Sequence, residues 1–182
     1  MSRIYPLTKE RYANQTWRLQ AGLSFAAKDA LVKLTLNELA TALMSSYPLA
    51  FAGGAKAYLL VGVQGFDSGV NLRLGPGGKW LGAYVPKAYR CQPFLLGKLG
   101  ETNRALCIDE DLALIAPQGG DAFYDETGAL TPRLNDILKA LAEFEQECGI
   151  TERACALLEE FDLIEPWEIR VDKGQGSQGA IQ

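Results

Sequence analysis

Three consecutive acidic residues are the sharpest chemical candidate in this chain. Asp109, Glu110 and Asp111 follow directly on an apolar run that ends in Cys107 and Ile108. Carboxylate oxygens at the end of a strand can surround a hard cation such as Mg²⁺ or Ca²⁺. Without a metal, neighbouring carboxylates can act as general acid and general base when their environments separate their pKa values. Both chemistries stay open, beside a third interpretation in which the acids form a solvated turn and cap local amides.

The absence of histidine restricts the chemistry further, because none of the 182 residues is a histidine. Histidine titrates closest to neutral pH and is the commonest metal ligand. Ser-His-Asp triads, Cys-His dyads and histidine-based zinc or iron sites are therefore excluded. We assign no catalytic residue and no cofactor from the sequence, which favours a non-enzymatic role over an enzyme built on the three acids.

Four cysteines offer a further kind of chemistry. Cys91, Cys107, Cys148 and Cys155 form no C-x-x-C pair, which argues against a zinc ribbon or a thioredoxin-type motif. We expect four free thiols, most of them buried as small apolar side chains. A nucleophilic cysteine would need a nearby cation or a helix N-terminus to stabilise its thiolate.

Aromatic residues form a second candidate site, for ligand binding. Trp80, Tyr84, Tyr89 and Phe94 follow one another in the strand-rich part of the chain. At even spacing on a strand, Trp80 and Tyr84 share one face and can line a groove for a small aromatic or peptide ligand. Packing in a hydrophobic core is the other use of such side chains, and both interpretations stay open.

Charge is distributed unevenly along the chain. Residues 1–104 carry a net charge of +8, whereas residues 105–182 carry −12. Either the two parts neutralise each other within one molecule, or the opposite charges promote association between copies. The basic residues are dispersed and form no basic run, so nucleic acid is not an expected partner. We expect a homo-oligomer or another protein partner, and a small ligand remains an option.

Composition and length predict one globular domain over residues 1–172, followed by a flexible tail over residues 173–182 that is rich in glycine and glutamine. The longest strongly apolar stretch, Ala57–Val63, is too short for the roughly 20 residues that cross a bilayer. The N-terminus has no apolar segment of a secretory signal. The expected compartment is therefore the cytoplasm.

Helical signals occur at both ends of the predicted domain. Thr35 and Glu38 have the spacing of a capping box, and a helix is predicted from there to about Ser46. Near the other end, Thr131 and Pro132 start a helix that Gly149 is expected to break. A second helix is then predicted with Thr151 as its cap.

Strand signals, separated by glycine-rich turns, fill the region between the helices. We predict an α+β fold in which an antiparallel sheet over roughly residues 49–130 packs with one N-terminal and two C-terminal helices. Residues 1–20 are expected to form an extended arm. The predicted strands and hairpin arms are 49–51, 58–63, 71–74, 79–85, 104–108, 123–124 and 129–130.

Taken together in chain order, several short segments resemble the SapC family of bacterial proteins. Each is weak alone, but their order over residues 5–170 is fairly specific. The segments are Tyr47–Phe51, Gly62–Phe66, Asn71-Leu72, Gly78–Trp80, Tyr84–Pro86, Arg90–Phe94, Leu106–Glu110, Phe123–Gly128 and Leu163–Pro166.

Two departures from the family pattern limit what the resemblance implies. Tyr12 stands where many members are expected to have a histidine, so no role of that histidine carries over. Members are also expected to continue beyond Pro166 with a strand pair and a closing helix, which suggests that this chain is a shortened form.

The function implied by the resemblance is accessory. The family name is associated with bacterial surface layers and, less consistently with this sequence, with peptide-transport permeases. Members are expected near genes for outer-membrane receptors and flavin-dependent halogenases. The resemblance thus implies a protein that binds and assembles in surface-layer or outer-membrane-associated function, and it implies no catalytic residues.

Overall fold

The computed structural model describes most of the chain and contains short helices, short strands and one long helix. Its described residues are 3–20, 22–44, 47–53, 58–99, 103–167, 169–172 and 178–181. The helices are α1 (Lys9–Tyr12), α2 (Leu39–Met44), α3 (Lys87–Arg90) and α4 (Pro132–Glu160), and 3₁₀ turns cover Ser24–Lys28, Leu36–Glu38 and Pro76–Gly78. The strands are β1 (Ile4–Pro6), β2 (Thr16–Leu19), β3 (Leu31–Lys33), β4 (Leu49–Gly53), β5 (Tyr58–Val63), β6 (Phe94–Leu99), β7 (Asn103–Asp109), β8 (Ala113–Ala116), β9 (Asp121–Ala122), β10 (Ile169–Asp172) and β11 (Gln178–Ile181).

The predicted α+β class is confirmed, but the sheet is divided. Within the described residues, the strands form antiparallel sheets in the orders β1-β7-β6, β8-β2-β9, β3-β5-β4 and β10-β11. The expected extended arm is wrong in detail, because β1 pairs with β7 and β2 pairs with β8 and β9. These pairings join segments far apart in the sequence, which local patterning does not reveal.

The described residues form two hydrophobic cores. The first is built around Trp17, Phe94, Ile108 and Phe123, and it includes Leu134 of α4. The second is built around the sheet β3-β5-β4 and includes Tyr47, Leu60 and Tyr89, together with Cys155 of α4. Helix α4 therefore contributes to both cores and ties them together.

Helix α4 runs without interruption through Gly149, so the predicted break at this residue is wrong. A Cβ atom built at Gly149 would meet no atom within 4 Å, and no close contact requires glycine there. The helix continues because its side chains pack against other elements, including β5 and β6, which outweighs the low helix propensity of glycine. Thr151 is consequently inside the helix, where its hydroxyl donates to the Glu147 carbonyl at 2.8 Å.

The capping box at Thr35 and Glu38 is confirmed, with the first turn in the 3₁₀ form. The Thr35 amide and hydroxyl both donate to Glu38 Oε2, at 3.0 and 3.1 Å. Helix α2 is described to Met44, and residues 45–46, where the helix was expected to end, lie outside the described residues. This local signal therefore positions Glu38 inside the second core.

Two predicted hairpins are reduced to single bridges. Leu74 pairs with Trp80, and Tyr124 pairs with Leu130, each as an isolated antiparallel bridge rather than as strands. The turn between the arms of the second pair has Gly128 in the left-handed conformation, with φ of 77°. Near the C-terminus, β11 pairs with β10, while residues 173–177 and 182 lie outside the described residues. The division into a domain and a flexible tail stays a prediction.

None of the helices in the described part of the chain combines the length and apolar character needed to cross a bilayer.

Candidate functional sites

The acidic segment Asp109–Asp111 follows β7 and forms a turn held from within the protein. Asp109 Oδ1 accepts a hydrogen bond from the Asp111 amide at 2.9 Å. Asp111 itself accepts from the Arg3 amide at 3.1 Å and from Arg3 Nε at 2.8 Å. Both of these carboxylates thus make protein contacts.

Glu110 lies on the other side of this turn and is mostly buried. Its Oε1 accepts from Arg11 Nη2 at 2.8 Å and from the Tyr12 hydroxyl at 2.9 Å. The Arg11 guanidinium also lies over the Tyr5 ring, 3.7 Å from its centre. Burial and then the Glu110 carboxylate raise the pKa of Tyr12, so its phenol stays protonated and donates. This arrangement attaches the N-terminal segment to the end of β7.

The structure therefore shows the three predicted acids in ion pairs and a turn. Among the described residues, no group of three or more acids and cysteines is arranged so that it could hold a metal ion. Metal binding and carboxylate catalysis at Asp109, Glu110 and Asp111 stay predictions, which need these existing contacts to rearrange.

Three of the four candidate aromatic residues lie together in the second core. The rings of Trp80 and Tyr89 meet edge to face with centres 5.9 Å apart. The Trp80 indole donates to the Tyr84 carbonyl at 2.8 Å, which fixes Trp80 next to Tyr84. Phe94 lies apart from them in the first core, where its ring packs edge to face on Trp17. The predicted ligand site is thus brought together at Trp80, Tyr84 and Tyr89 but not at Phe94.

Glu38, which contacts Tyr84, is a buried carboxylate that the sequence did not indicate as a site. The Glu38 side chain is only 1% exposed and has four hydrogen-bond donors within 3.1 Å. Besides the two from Thr35, Oε1 accepts from the Tyr84 hydroxyl and from the Lys87 amide, both at 2.8 Å. The capping box predicts the contacts from Thr35. The contacts from Tyr84 and Lys87 come from a segment distant in sequence, which no local pattern indicates.

A second carboxylate, Glu147 of α4, extends this polar network. Lys87 Nζ lies 2.7 Å from both of its oxygens, and the Asn37 amide donates to Oε1 at 2.9 Å. The Thr35 hydroxyl lies within 3.0 Å of Glu147 and 3.1 Å of Glu38, so its single proton serves one carboxylate at a time. The network joins the 3₁₀ turn before α2, the start of α3 and helix α4. Its saturated contacts indicate a structural role.

A buried amide cluster, Gln64 and Asn71, lies next to Tyr89 of the same core. Gln64 Oε1 accepts from the Asn71 amide at 3.2 Å and lies 2.9 Å from the Tyr89 hydroxyl. The Tyr89 hydroxyl also lies 3.0 Å from Asp29, and burial followed by the charge of Asp29 raises the pKa of Tyr89. Gln64 Nε2 is buried without a hydrogen-bond partner of good geometry among the described residues. A buried donor without an acceptor lowers the stability of the fold, because its desolvation is not compensated.

Two cavities open next to the second core. The first, of about 300 Å³, is apolar and lies between the sheet and the C-terminal half of α4; its lining is Leu36, Leu39, Leu49, Ala50, Phe51, Leu60, Ala154, Cys155 and Leu158. The second, of about 260 Å³, is mixed; its lining is Pro48, Val63, Gln64, Gly65, Phe66, Leu72, Arg73 and Leu81. Neither cavity is lined by Trp80, Tyr84 or Tyr89.

The cysteines are free thiols, as predicted, and all but the half-buried Cys91 are buried. Burial raises the pKa of Cys91, Cys148 and Cys155, and nearby cations only partly oppose it at Cys91 and Cys148. A raised pKa disfavours the thiolate that a nucleophile needs. These thiols therefore act as apolar side chains.

Comparison with known proteins gives one result at the level of the family. No curated protein and no solved structure matches the chain. The family model described as SapC matches residues 7–182. This match agrees with the resemblance carried by the short segments and covers nearly the whole chain. The chain belongs to the SapC family.

Proposed function

We propose that this protein is a non-enzymatic binding and assembly protein whose partner is a second copy of the same chain. The observation that carries the proposal is an exposed acidic and apolar segment at the end of α4. It spans residues 157–167 and combines four large apolar side chains with four acids. The members are Leu157, Phe161, Leu163 and Trp167, and Glu159, Glu160, Asp162 and Glu165, all of them exposed.

The exposure of this segment is unusual for such large side chains. Phe161 is 68% exposed and Trp167 is 72% exposed. Leu158, three positions before Phe161, lines the apolar cavity beside α4. Contiguous exposed apolar surface next to an apolar cavity is typical of an interaction surface.

The uneven charge of the chain favours a second copy of it as the partner. The acids of this segment belong to the part of the chain with a net charge of −12, whereas residues 1–104 carry +8. A contact between the acidic segment of one copy and the basic part of another is favoured over a contact between two acidic segments. Such a contact is head-to-tail, and it forms rings or open chains of subunits.

Membership of the SapC family supports placing this assembly in a bacterial surface-layer or outer-membrane-associated setting, through the association carried by the family name. A carboxylate mechanism at Asp109, Glu110 and Asp111 stays the alternative function. The proposal itself depends on the exposed segment and on the charge distribution.

The test is the mass of the protein in solution, measured by light scattering at two concentrations and at low and high salt. We expect oligomers whose population rises with concentration and falls with salt, because screening weakens contacts between exposed charges. The variant Phe161→Ser should shift the population toward monomer. Leu114→Ser, which alters an exposed leucine on β8, is the matched control and should leave the mass unchanged. A monomer under every condition would refute the proposal.

A further inference from the structure

We propose that the outer edge of strand β4 is a docking site for an extended peptide segment of another protein. The segment adds to the sheet β3-β5-β4 as a further strand, because β4 is an outer strand of that sheet. It places one large apolar side chain in the apolar cavity beside α4. This inference uses neither Phe161 nor the uneven charge of the chain, so it does not depend on the proposed self-association.

The bonding pattern between β4 and β5 decides which backbone groups of β4 face its neighbour. In an antiparallel pair, every second pair of opposite residues exchanges hydrogen bonds. The Val63 amide donates to the Pro48 carbonyl at 2.8 Å, and these two residues continue the register of the two strands. The same alternation directs the amides and carbonyls of Ala50 and Ala52 toward β5.

Leu49, Phe51 and Gly53 therefore direct their amides and carbonyls away from β5, toward the outer edge. Leu60, the residue opposite Phe51, supports this assignment, because its carbonyl accepts from the Leu34 amide on the β3 side at 3.0 Å. Within the described parts of the chain, the outward backbone groups of these three residues have no hydrogen-bond partner. An outer strand with unpaired amides and carbonyls is a template for a further strand.

The apolar cavity lies on the face of the sheet that carries Phe51. Phe51 and the opposite Leu60 share this face, and helix α4 closes the cavity with Ala154, Cys155 and Leu158. The cavity is thus an unfilled part of the interface between α4 and the sheet. A strand added about 4.8 Å from β4 would place every second side chain in the row of Phe51 and Leu60. One of these side chains then enters the cavity.

The chemistry of this surface determines which occupant fits. Outward amides and carbonyls need a partner that offers donors and acceptors at the spacing of an extended backbone, which a lipid chain does not supply. Neither β4 nor the described lining of the cavity carries a charged side chain, so a buried charge there would lack a partner. The volume of about 300 Å³ equals that of roughly ten water molecules at about 30 Å³ each, which suits one large apolar side chain.

A second copy of this chain fits the edge less well than a foreign segment. Two β4 strands that paired with each other would meet through Leu49, Phe51 and Gly53. Leu49 and Phe51 already line the cavity of their own copy, and Gly53 has no side chain. Self-pairing would therefore bring no further side chain into either cavity. The occupant is a segment of another protein with leucine or phenylalanine facing the cavity.

The experiment is an NMR titration of the ¹⁵N-labelled protein with the peptide acetyl-Thr-Val-Thr-Phe-Thr-Val-Thr-amide. High salt and dilute protein keep the proposed charge contacts between copies weak. We expect saturable binding with a Kd below about 1 mM. At saturation, amide hydrogen exchange of Leu49, Phe51 and Gly53 should slow by about tenfold or more, whereas Ala50 and Ala52 should change less than about twofold. Absence of saturable binding, or equal slowing of all five amides, would overturn the proposal.

Two modified peptides test for backbone pairing. One carries N-methyl groups on its valine and phenylalanine amides, and the other carries them on its threonine amides. Only alternate residues of an added strand donate to the edge, so one version should bind at least about tenfold more weakly and the other within about threefold of the parent peptide. Equal binding of both would contradict strand addition. Slow exchange of the three outward amides in the protein alone, increasing with its concentration, would assign the edge to a second copy and overturn the proposal.

Matched variants test the edge from the side of the protein. Phe51→Pro and Phe51→Ala both remove the ring, but only proline removes the outward amide, and proline is tolerated where the amide of an outer strand faces solvent. Phe51→Pro should bind the peptide about tenfold more weakly than Phe51→Ala. Gly53→Pro and Gly53→Ala form a second pair if Phe51→Pro does not fold, because a Cβ atom at Gly53 meets no atom within 4 Å. Equal affinity within the folded pair would contradict the edge.

The cavity is tested by filling it. Ala154→Phe places a ring in the cavity that Ala154 lines. It should weaken binding of the parent peptide by about tenfold, and binding of a version with alanine in place of phenylalanine by less than about twofold. Equal effects on the two peptides would show that the cavity does not receive the side chain and would overturn that part of the proposal.

Discussion

Lys87 Nζ lies 2.7 Å from both carboxylate oxygens of Glu147, and this ion pair joins the first residue of α3 to the long helix α4. The Glu147 side chain is 16% exposed. It also accepts hydrogen bonds from Asn37 and Thr35 at the 3₁₀ turn before α2. The contact therefore holds three separate segments of the chain at one point and makes the stability of the fold sensitive to the charge of Glu147.

This ion pair predicts a loss of stability in acid. Burial raises the pKa of Glu147, but hydrogen bonds from Lys87, Asn37 and Thr35 outweigh it and hold the pKa below its ordinary value of 4.5. The ionised form thus stabilises the fold above about pH 4.5, and this contribution disappears as the pH falls through the lowered pKa. Urea unfolding should show Glu147→Gln to be less stable by about 1–2 kcal/mol near neutral pH, with a smaller difference in acid.

The control for this experiment is Glu143→Gln, since Glu143 is exposed on the same helix. Its stability should stay within about 0.5 kcal/mol of the wild type at neutral pH. A difference between wild type and Glu147→Gln that does not change with pH would contradict the assigned role of the charge.

Replacing Glu38 should be more damaging than replacing Glu147. In Glu38→Gln, an amide NH₂ would face backbone and hydroxyl donors, leaving buried groups unsatisfied. We expect the free energy of unfolding to fall by about 2–4 kcal/mol. Tyr84→Phe removes only one of the donors to Glu38 and should cost about 1 kcal/mol. If urea denaturation gave Glu38→Gln the stability of the wild type, the buried network would not be the one described.

Gly149→Ala should stabilise the protein. The residue lies inside a continuous helix, a Cβ atom there meets nothing within 4 Å, and alanine has the higher helix propensity. The expected gain is about 0.5–1 kcal/mol, measured by thermal or urea unfolding. Gly97→Ala is the contrasting variant, because its Cβ would lie 2.6 Å from Cys107 Sγ. A loss of stability in Gly149→Ala would instead support the break predicted from the sequence.

The contact between Tyr12 and Glu110 should contribute measurably to stability. Tyr12→Phe removes the 2.9 Å hydrogen bond to Glu110 with little change in packing. We expect a loss of about 1 kcal/mol, and a double-mutant cycle with Glu110→Gln should show coupling between the two residues. Strict additivity of the two changes would show that the hydrogen bond contributes nothing.

A melting experiment with divalent cations tests the acidic segment. Because Asp109, Glu110 and Asp111 already have protein partners, we expect Mg²⁺, Mn²⁺ or Ca²⁺ to leave the melting temperature unchanged. A tightly bound metal present at about 100 times its Kd would add about 2.7 kcal/mol of stability. A shift of that size, lost in Asp109→Asn, would favour the carboxylate enzyme instead.

Several features of the fold follow from the sequence because they depend on neighbouring residues. The capping box at Thr35 and Glu38, the helix start at Pro132 and the left-handed turn at Gly128 each arise within a few positions. The strand over Tyr58–Val63 agrees with its apolar run, which includes the β-branched Val61 and Val63. The exclusion of histidine-based catalysis and metal binding also follows from the sequence, because it depends on composition alone.

Tertiary structure decided what depends on distant segments. The pairing of β1 with β7 requires the chain to return across much of its length, and hydrophobic patterning does not specify such partners. Gly149 remains helical because α4 packs against other elements, which overrides local propensity. In the same way, only folding brings Tyr84 and Lys87 to Glu38, and Arg73 and Gln64 to one cavity. Local signals act over a few residues, whereas packing energy is gained only when distant parts of the chain meet.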